Sequence, residues 1–218
     1  MNYGIVVRVL GIILLIESIL MSPAIFVSRA YGGEAVNSFL ITIAIMLVLG
    51  LLMMNVRSKN DHIRAKDGIV IVAVGWVMIS LMGALPLFLS QSVPHYVDAV
   101  FETVSGFTTT GSSVIADVES LDRGILFWRS MTHWIGGMGI LVFTLALLPA
   151  LGVGSLQIFK AESPGPVAGK IVPRMKDTAR VLYISYIAIT LVQLILLLFG
   201  GVNLVESFVI TFGSVGTG

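Results

Sequence analysis

Val97 to Val114 reads VDAVFETVSGFTTTGSSV. The stretch lies between two long apolar segments, yet it is too polar to cross a bilayer itself. Its first half has the spacing of a short amphipathic helix; its second half is three threonines and a glycine, Thr108, Thr109, Thr110 and Gly111. Polar, non-helical backbone at membrane depth is tolerated only inside protein or along a wet cavity. A Thr-Thr-Thr-Gly turn supplies closely spaced carbonyls and hydroxyls with little side-chain bulk, the chemistry that can replace the water shell of a monovalent cation. The other reading of the same residues is an ordinary extracellular Ser/Thr turn.

Composition decides where such a stretch can sit. The 218 residues are 56% hydrophobic and 11% charged, against about 25% charged in soluble domains, and mean hydropathy is +1.00. The chain therefore reads as an all-α integral membrane protein. A net charge of +1 gives no support to nucleic-acid binding, and without cysteine there is neither a disulfide framework nor a thiolate metal site. Spanning segments are expected at roughly 4–27, 37–55, 68–90, 124–150 and 179–201, each near the ~20 residues a span needs. The first has too long an apolar run for a signal peptide and no small-x-small cleavage site after it, so it is read as a retained helix. Segments 91–110 and 202–218 are the non-spanning membrane pieces.

Lysine and arginine set the orientation. Arg57, Lys59, Arg64 and Lys66 follow the second span; Lys160, Lys170, Arg174, Lys176 and Arg180 follow the fourth. Both loops are expected in the cytoplasm, with the N-terminus. The opposite side has only Arg29 and Arg123, with Glu34, Asp98, Asp117, Glu119, Asp122 and Glu206. Such acids would raise the local cation concentration at a vestibule, or simply solvate loops.

The chain also repeats. An offset of 107 residues lays Phe208 on Phe101, Gly213 on Gly106, Thr217 on Thr110 and Gly218 on Gly111, and the spans before them align as well. Each unit is helix, re-entrant loop, helix, so successive units run parallel about an axis along the membrane normal. The expected divisions are a hairpin at 1–56, a first helix–pore-loop–helix repeat at 68–150, a cytoplasmic loop at 151–178, and a second repeat at 179–218 that stops within its loop.

Three stretches then point to a family: FETVSGFTTTGSS at 101–113, LFWRSMTHWIGGMGI at 126–140 and QIFKAESPGPVAGKIVPRMKDTAR at 157–180. In this order and spacing they resemble the Trk/Ktr/HKT cation transporters, the TrkH-type membrane subunit most closely. That resemblance implies potassium uptake through a filter of backbone carbonyls, built like four fused potassium-channel subunits with a helical hairpin in front. It implies a first filter strand at Thr108, Thr109, Thr110 and Gly111, and a second at Val215, Gly216, Thr217 and Gly218. Glycine at Gly111 goes with potassium selectivity in the family, whereas serine there goes with sodium permeation in some members. A sodium-permeable member and a non-conducting scaffold that keeps the fold are the alternatives. The implied partners are K⁺, the lipid bilayer, a second copy of the full-length protein, and a cytosolic nucleotide-binding subunit of TrkA or KtrA type meeting the basic loop at 155–180. That partner, not this chain, would bind the nucleotide; no cofactor is expected here, and the transported ion is K⁺. The implied location is a bacterial or archaeal cytoplasmic membrane. A four-loop pore at this spacing needs roughly 480 residues, so the chain is expected to be the N-terminal portion of such a subunit, or one half of a split one.

Asp98 and Glu102 stand one helical turn apart, but no nucleophile or metal cluster accompanies them, so an enzyme is not expected and Glu102 reads as a supporting residue behind the filter. GFTTTGSS approaches a phosphate loop, but Ser112 stands where lysine must be. Arg129 and His133 share the fourth span with Trp128 and Trp134. Arg129 either snorkels toward an interface belt formed by the two tryptophans or pairs with an acid such as Glu102. His133 reads as an interior hydrogen-bonding group, Gly136, Gly137 and Gly139 as close helix contacts, and Glu17 as a residue turned toward protein rather than lipid.

Overall fold

The computed structural model describes residues 2–56, 65–150 and 175–217. These form seven helices and no strand: α1 Tyr3–Ala30, α2 Val36–Met54, α3 Ala65–Leu89, α4 Tyr96–Phe107, α5 Arg123–Ala150, α6 Met175–Phe199 and α7 Leu204–Val215. By length and composition α1, α2, α3 and α6 can each cross a membrane. α5 has 28 residues, as many as α1, and carries Arg129 and His133 in its first half. α4 and α7 have 12 residues each, about 18 Å of helix, too short for a hydrocarbon core of about 30 Å.

α1 and α2 form the front hairpin. Gly11 and Gly50 let the two backbones approach: a side chain on Gly11 would stand 2.7 Å from the Gly50 carbonyl oxygen. The Asn2 side chain accepts from Ile5 N–H and caps α1, while Asn2 N–H donates to Asp67 at the start of α3 over 3.0 Å. At the other end one carboxylate joins three elements. Asp122 accepts from Ser28 Oγ (3.0 Å), from Ala35 N–H (3.2 Å) and from Gly124 N–H (2.7 Å). It caps α5 and fastens the turn of the hairpin to it. The core thus lies where α1, α2, α3, α4 and α5 meet, around Leu14, Met21, Phe39, Leu87, Phe107, Ile125 and Trp128. The outer face of α2 (Leu40, Ile41, Leu47, Val48, Leu51 and Leu52) is exposed and apolar throughout, as a lipid-facing helix must be.

The short helices are wedged between long ones. α4 sits between α3 and α5: Thr103 Oγ1 donates to the Ser80 carbonyl and Tyr96 O–H to that of Leu81, both at 2.8 Å. α7 sits beside α5 and α6, where Phe127, Phe208, Phe212, Trp134 and Tyr186 form one run of ring contacts.

The two helix–short helix units repeat, with a register that corrects the sequence offset. Tyr96 to Leu204 and Phe107 to Val215 are each 108 residues, not 107. The residues of left-handed backbone after the two helices, Thr109 (φ 55°) and Thr217 (φ 60°), keep the same spacing. So do the hydrogen bonds that close the helices, Thr109 N–H to Gly106 O and Thr217 N–H to Ser214 O. Val215, expected to open the second filter strand, is instead the last residue of α7 and corresponds to Phe107. The identities at Phe208, Gly213 and Thr217 match residue types; hydrogen bonding, which fixes where a helix ends, matches positions one residue along.

Candidate functional site

The site begins where α4 stops. Phe107 is its last residue. Thr110 N–H then donates to the Ser105 carbonyl and Thr109 N–H to that of Gly106, both over 2.9 Å. This crossed pair is a Schellman closure with Thr109 at the left-handed position usually held by glycine. A β-branched residue there is an outlier costing about 1–2 kcal/mol. Gly111 is left-handed again at φ 73°. Thr108 Oγ1 bonds back to the Val104 carbonyl at 2.7 Å and lies 2.8 Å from Thr110 Oγ1. Among the described residues, nothing donates to the carbonyls of Thr108, Thr109, Thr110 or Gly111. All four residues are at least partly exposed, so these carbonyls are free to face a ligand. The last carbonyls of α4 add the partial negative charge of a helix C-terminus.

The returning strand is held from behind by Glu102. Its Oε2 accepts from Val114 N–H at 3.1 Å. Its Oε1 accepts from Ser113 Oγ at 2.9 Å and from Arg129 Nε at 2.5 Å. Glu102 is 1% exposed and the Arg129 side chain 16%. The expected supporting pair therefore meets, and the Arg129 guanidinium turns to a carboxylate rather than toward an interface. Asp98, one turn earlier, is in the first turn of α4 and only half-buried.

The tryptophans of α5 do not form an interface belt. Trp128 is fully buried, donates to the Gly83 carbonyl at 2.9 Å and meets the Phe107 ring edge-on. Trp134 donates to Thr190 Oγ1 at 3.1 Å and packs on Tyr186 and Phe212. A tryptophan near a helix end can serve membrane surface or core equally; its N–H partner decides, and here both partners are protein. His133 is buried, its Nδ1 3.1 Å from the Arg129 carbonyl. Glu17 is 4% exposed, faces protein as expected, and shares the space over Gly83 with the rings of Phe107 and Trp128.

At the second loop, Asn203 caps α7 by accepting from Glu206 N–H, and Glu206 lies 3.9 Å from Arg123 at the surface. Gly216 and Thr217 follow the helix. Gly218 lies outside the described residues, as do Arg57, Lys59, Arg64 and the greater part of the basic loop, including Lys160, Lys170 and Arg174. Asp122 is the residue that sequence reasoning missed. It was grouped with solvated outer acids, yet an Asp directly before an Arg-Gly-Ile helix start is a capping signal.

Long apolar helices, with two 12-residue helices each followed by a left-handed threonine, define a multi-pass helical membrane protein. The chain belongs to the TrkH cation transport protein family, whose profile matches residues 35–208. It is 34% identical over 221 residues to the Trk system potassium uptake protein TrkH of Halomonas elongata, covering 100% of this chain and 46% of that protein. The TrkH of Escherichia coli K12 gives the same figures. The crystal structure of the potassium transporter TrkH from Vibrio parahaemolyticus has the same fold, with a TM-score of 0.80 at 28% identity over 98% of this chain and 43% of that one. The chain thus spans about half the length of the curated relatives it matches.

Proposed function

We propose that this chain carries the first two ion-coordinating loops of a potassium uptake protein, and that dehydrated K⁺ is held by the carbonyls of Thr108, Thr109, Thr110 and Gly111. The observation carrying this reading is the strand itself. Its left-handed residues fall at every second position, Thr109 and Gly111, and the N–H groups of Thr109 and Thr110 are spent on the carbonyls of Gly106 and Ser105, which leaves acceptors at the turn. Four carbonyls that accept from no donor among the described residues stand at that strand. Gly216, Thr217 and Gly218 contribute the second strand, with Val215 behind it as the helix end. Glu102 and Arg129 support the first strand rather than touch the ion. Relatives named as potassium uptake proteins favour K⁺ as the ion.

Within this reading, 1–56 is an accessory hairpin, 68–150 and 179–218 are the two pore-loop units, and 151–178 is a cytoplasmic loop. The N-terminus lies in the cytoplasm of a cell whose inside-negative potential draws K⁺ inward with about 2.3 kcal/mol per charge for each 100 mV. The basic loop at 155–180 meets a cytosolic nucleotide-binding regulatory subunit, and the full-length protein pairs with a second copy. The test is Gly111→Ser in the protein expressed from its whole reading frame, with uptake of Rb⁺ and Na⁺ compared in a strain that cannot grow at low K⁺. A side chain at the left-handed position disturbs the carbonyl ring, so discrimination against Na⁺ falls. Unchanged discrimination at normal membrane abundance would refute the filter assignment. No growth rescue by the unsubstituted protein would favour the non-conducting scaffold, and Na⁺ uptake equal to Rb⁺ the sodium-permeable reading.

A further inference from the structure

α5 presents two adjacent rows of residues, and each row receives one of the two short helices. In the first row, Thr132 and Gly136 stand one turn apart and face the end of α4. A side chain on Gly136 would put its Cβ 2.7 Å from the Phe107 carbonyl carbon and 2.9 Å from its Cα; one on Gly106 would stand 3.0 Å from Thr132 Cβ. In the second row, His133 and Gly137 face the end of α7. A Cβ on Gly216 would lie 2.6 Å from both the carbonyl carbon and oxygen of His133, and one on Gly137 would lie 3.4 Å from Gly216 Cα. Gly216 has φ −73°, which any residue adopts, so contact and not conformation explains its glycine. Both contacts are backbone against backbone. No rotamer change relieves them, and a methyl at either position must displace a loop or the helix.

We propose that residues 132–137 of α5 are a common seat that sets the relative position of the two ion-coordinating loops, making Gly136 and Gly216 positioning residues for ion discrimination. Gly136 does not touch the ion, and Gly216 acts in this role through its contact with His133, apart from its place in the second strand. Gly136 fixes where the Thr108–Gly111 strand begins through Phe107. Gly216 fixes the second strand against the same turn of α5. Carbonyl rings discriminate between ions through the number and placement of their oxygens, so two strands referred to one rigid turn are held in register with each other. The proposal rests on the filter reading above.

The experiment measures Rb⁺ and Na⁺ flux in proteoliposomes containing the protein from its whole reading frame. Gly136→Ala and Gly216→Ala are each expected to lower Rb⁺ over Na⁺ discrimination roughly tenfold, since displacements near 1 Å of positioned groups are felt on that scale or above. Gly75→Ala, whose Cβ would meet only Ile13 and Leu10 side-chain carbons at 3.5 and 3.7 Å, leaves it unchanged. Because both loops refer to one seat, the double variant falls short of the product of the two single effects. Discrimination unchanged in both single variants at normal abundance, while Gly111→Ser lowers it, would overturn the seat and leave the filter standing. Full multiplication of the two effects would overturn the common seat in favour of two independent contacts. Discrimination unchanged in Gly111→Ser as well would remove both readings together. If Gly136→Ala fails to accumulate, Thr132→Val decides: it puts a methyl in place of the hydroxyl that faces Gly106 of α4, and a discrimination identical to the parent would refute the seat.

Discussion

Replacing Glu102 by glutamine changes one atom and tests the whole support behind the first strand. The carboxylate serves three donors, Arg129 Nε and Ser113 Oγ on Oε1 and Val114 N–H on Oε2. An amide keeps one oxygen, so either the Arg129–Ser113 side or the Val114 side must face an N–H₂ group. Losing a hydrogen bond to a charged group costs about 1.5–3 kcal/mol. Removing one member of a buried ion pair costs about 3–5 kcal/mol. With its side chain 16% exposed, Arg129 regains some hydration, which places the expected loss near the lower bound, about 3 kcal/mol. A loss of that size shifts the equilibrium between tethered and released strand by roughly 150-fold. Two measurements check this in the protein from its whole reading frame: the denaturation midpoint in detergent, and Rb⁺ uptake at low external Rb⁺. Glu102→Gln and Arg129→Gln should each lower both. The double variant should recover part of the loss, because two amides can bond to each other and no buried charge is stranded, giving a coupling energy of about 1–3 kcal/mol. A coupling below about 0.5 kcal/mol, the scatter expected of independent sites, would refute the claim that Arg129 acts through Glu102.

Three further outcomes follow from the same geometry. Asp122→Ala should destabilise the hairpin by about 1–2 kcal/mol through loss of the α5 cap alone, read as faster protease nicking near Gly32 and Gly33; an unchanged rate would show that the Ser28 and Ala35 contacts hold nothing. Trp128→Phe should lower the denaturation midpoint, because the buried Gly83 carbonyl loses its side-chain donor at a cost of about 1–3 kcal/mol; a neutral result would return Trp128 to the role of an apolar filler. Thr109→Gly should leave stability unchanged or raise it by up to about 1 kcal/mol, since relief of left-handed strain is set against the greater freedom of glycine in the unfolded chain; a clear loss would mean that Thr109 is not strained.

Much of the architecture could be read from periodicity and length. The ends of α1 and α2 fall within a few residues of expectation because apolar runs of about 20 residues have one solution in a bilayer. The short helix before TTTG was legible because its spacing is amphipathic while the stretch is too polar to cross a bilayer. Pairings between distant residues were less legible. Glu102 and Arg129 stand 27 positions apart, and their meeting was one of two readings until α4 was seen wedged against α5. Trp128 and Trp134 were misread because sequence gives a side chain's depth only through its neighbours. Their neighbours here are Gly83 and Thr190, 45 and 56 positions away. Asp122 was misread for the opposite reason: its capping signal is local, but an acid in a polar loop suggests solvent first.

The second loop shows most plainly what identity of residues can and cannot establish. Matching Phe, Gly, Thr and Gly at an offset of 107 pointed to two short helices that do recur, 108 residues apart. It misplaced the helix end because glycine and threonine serve different purposes in the two copies. Gly106 lies inside α4 and makes room for Thr132. Its partner by residue type, Gly213, has nothing within 4 Å of a Cβ among the described residues. The glycine that does make room in the second copy is Gly216, whose counterpart at an offset of 108 is Thr108, at the mouth of the first strand. Close approach to α5 is therefore achieved by glycines at different steps of the two units: Gly106 within α4 and Gly136 of α5 for the first loop, Gly216 after α7 and Gly137 of α5 for the second. Duplicated helices that keep their length and their left-handed threonine while moving their glycines have kept the geometry of the helix ends, not the identity of the residues around them.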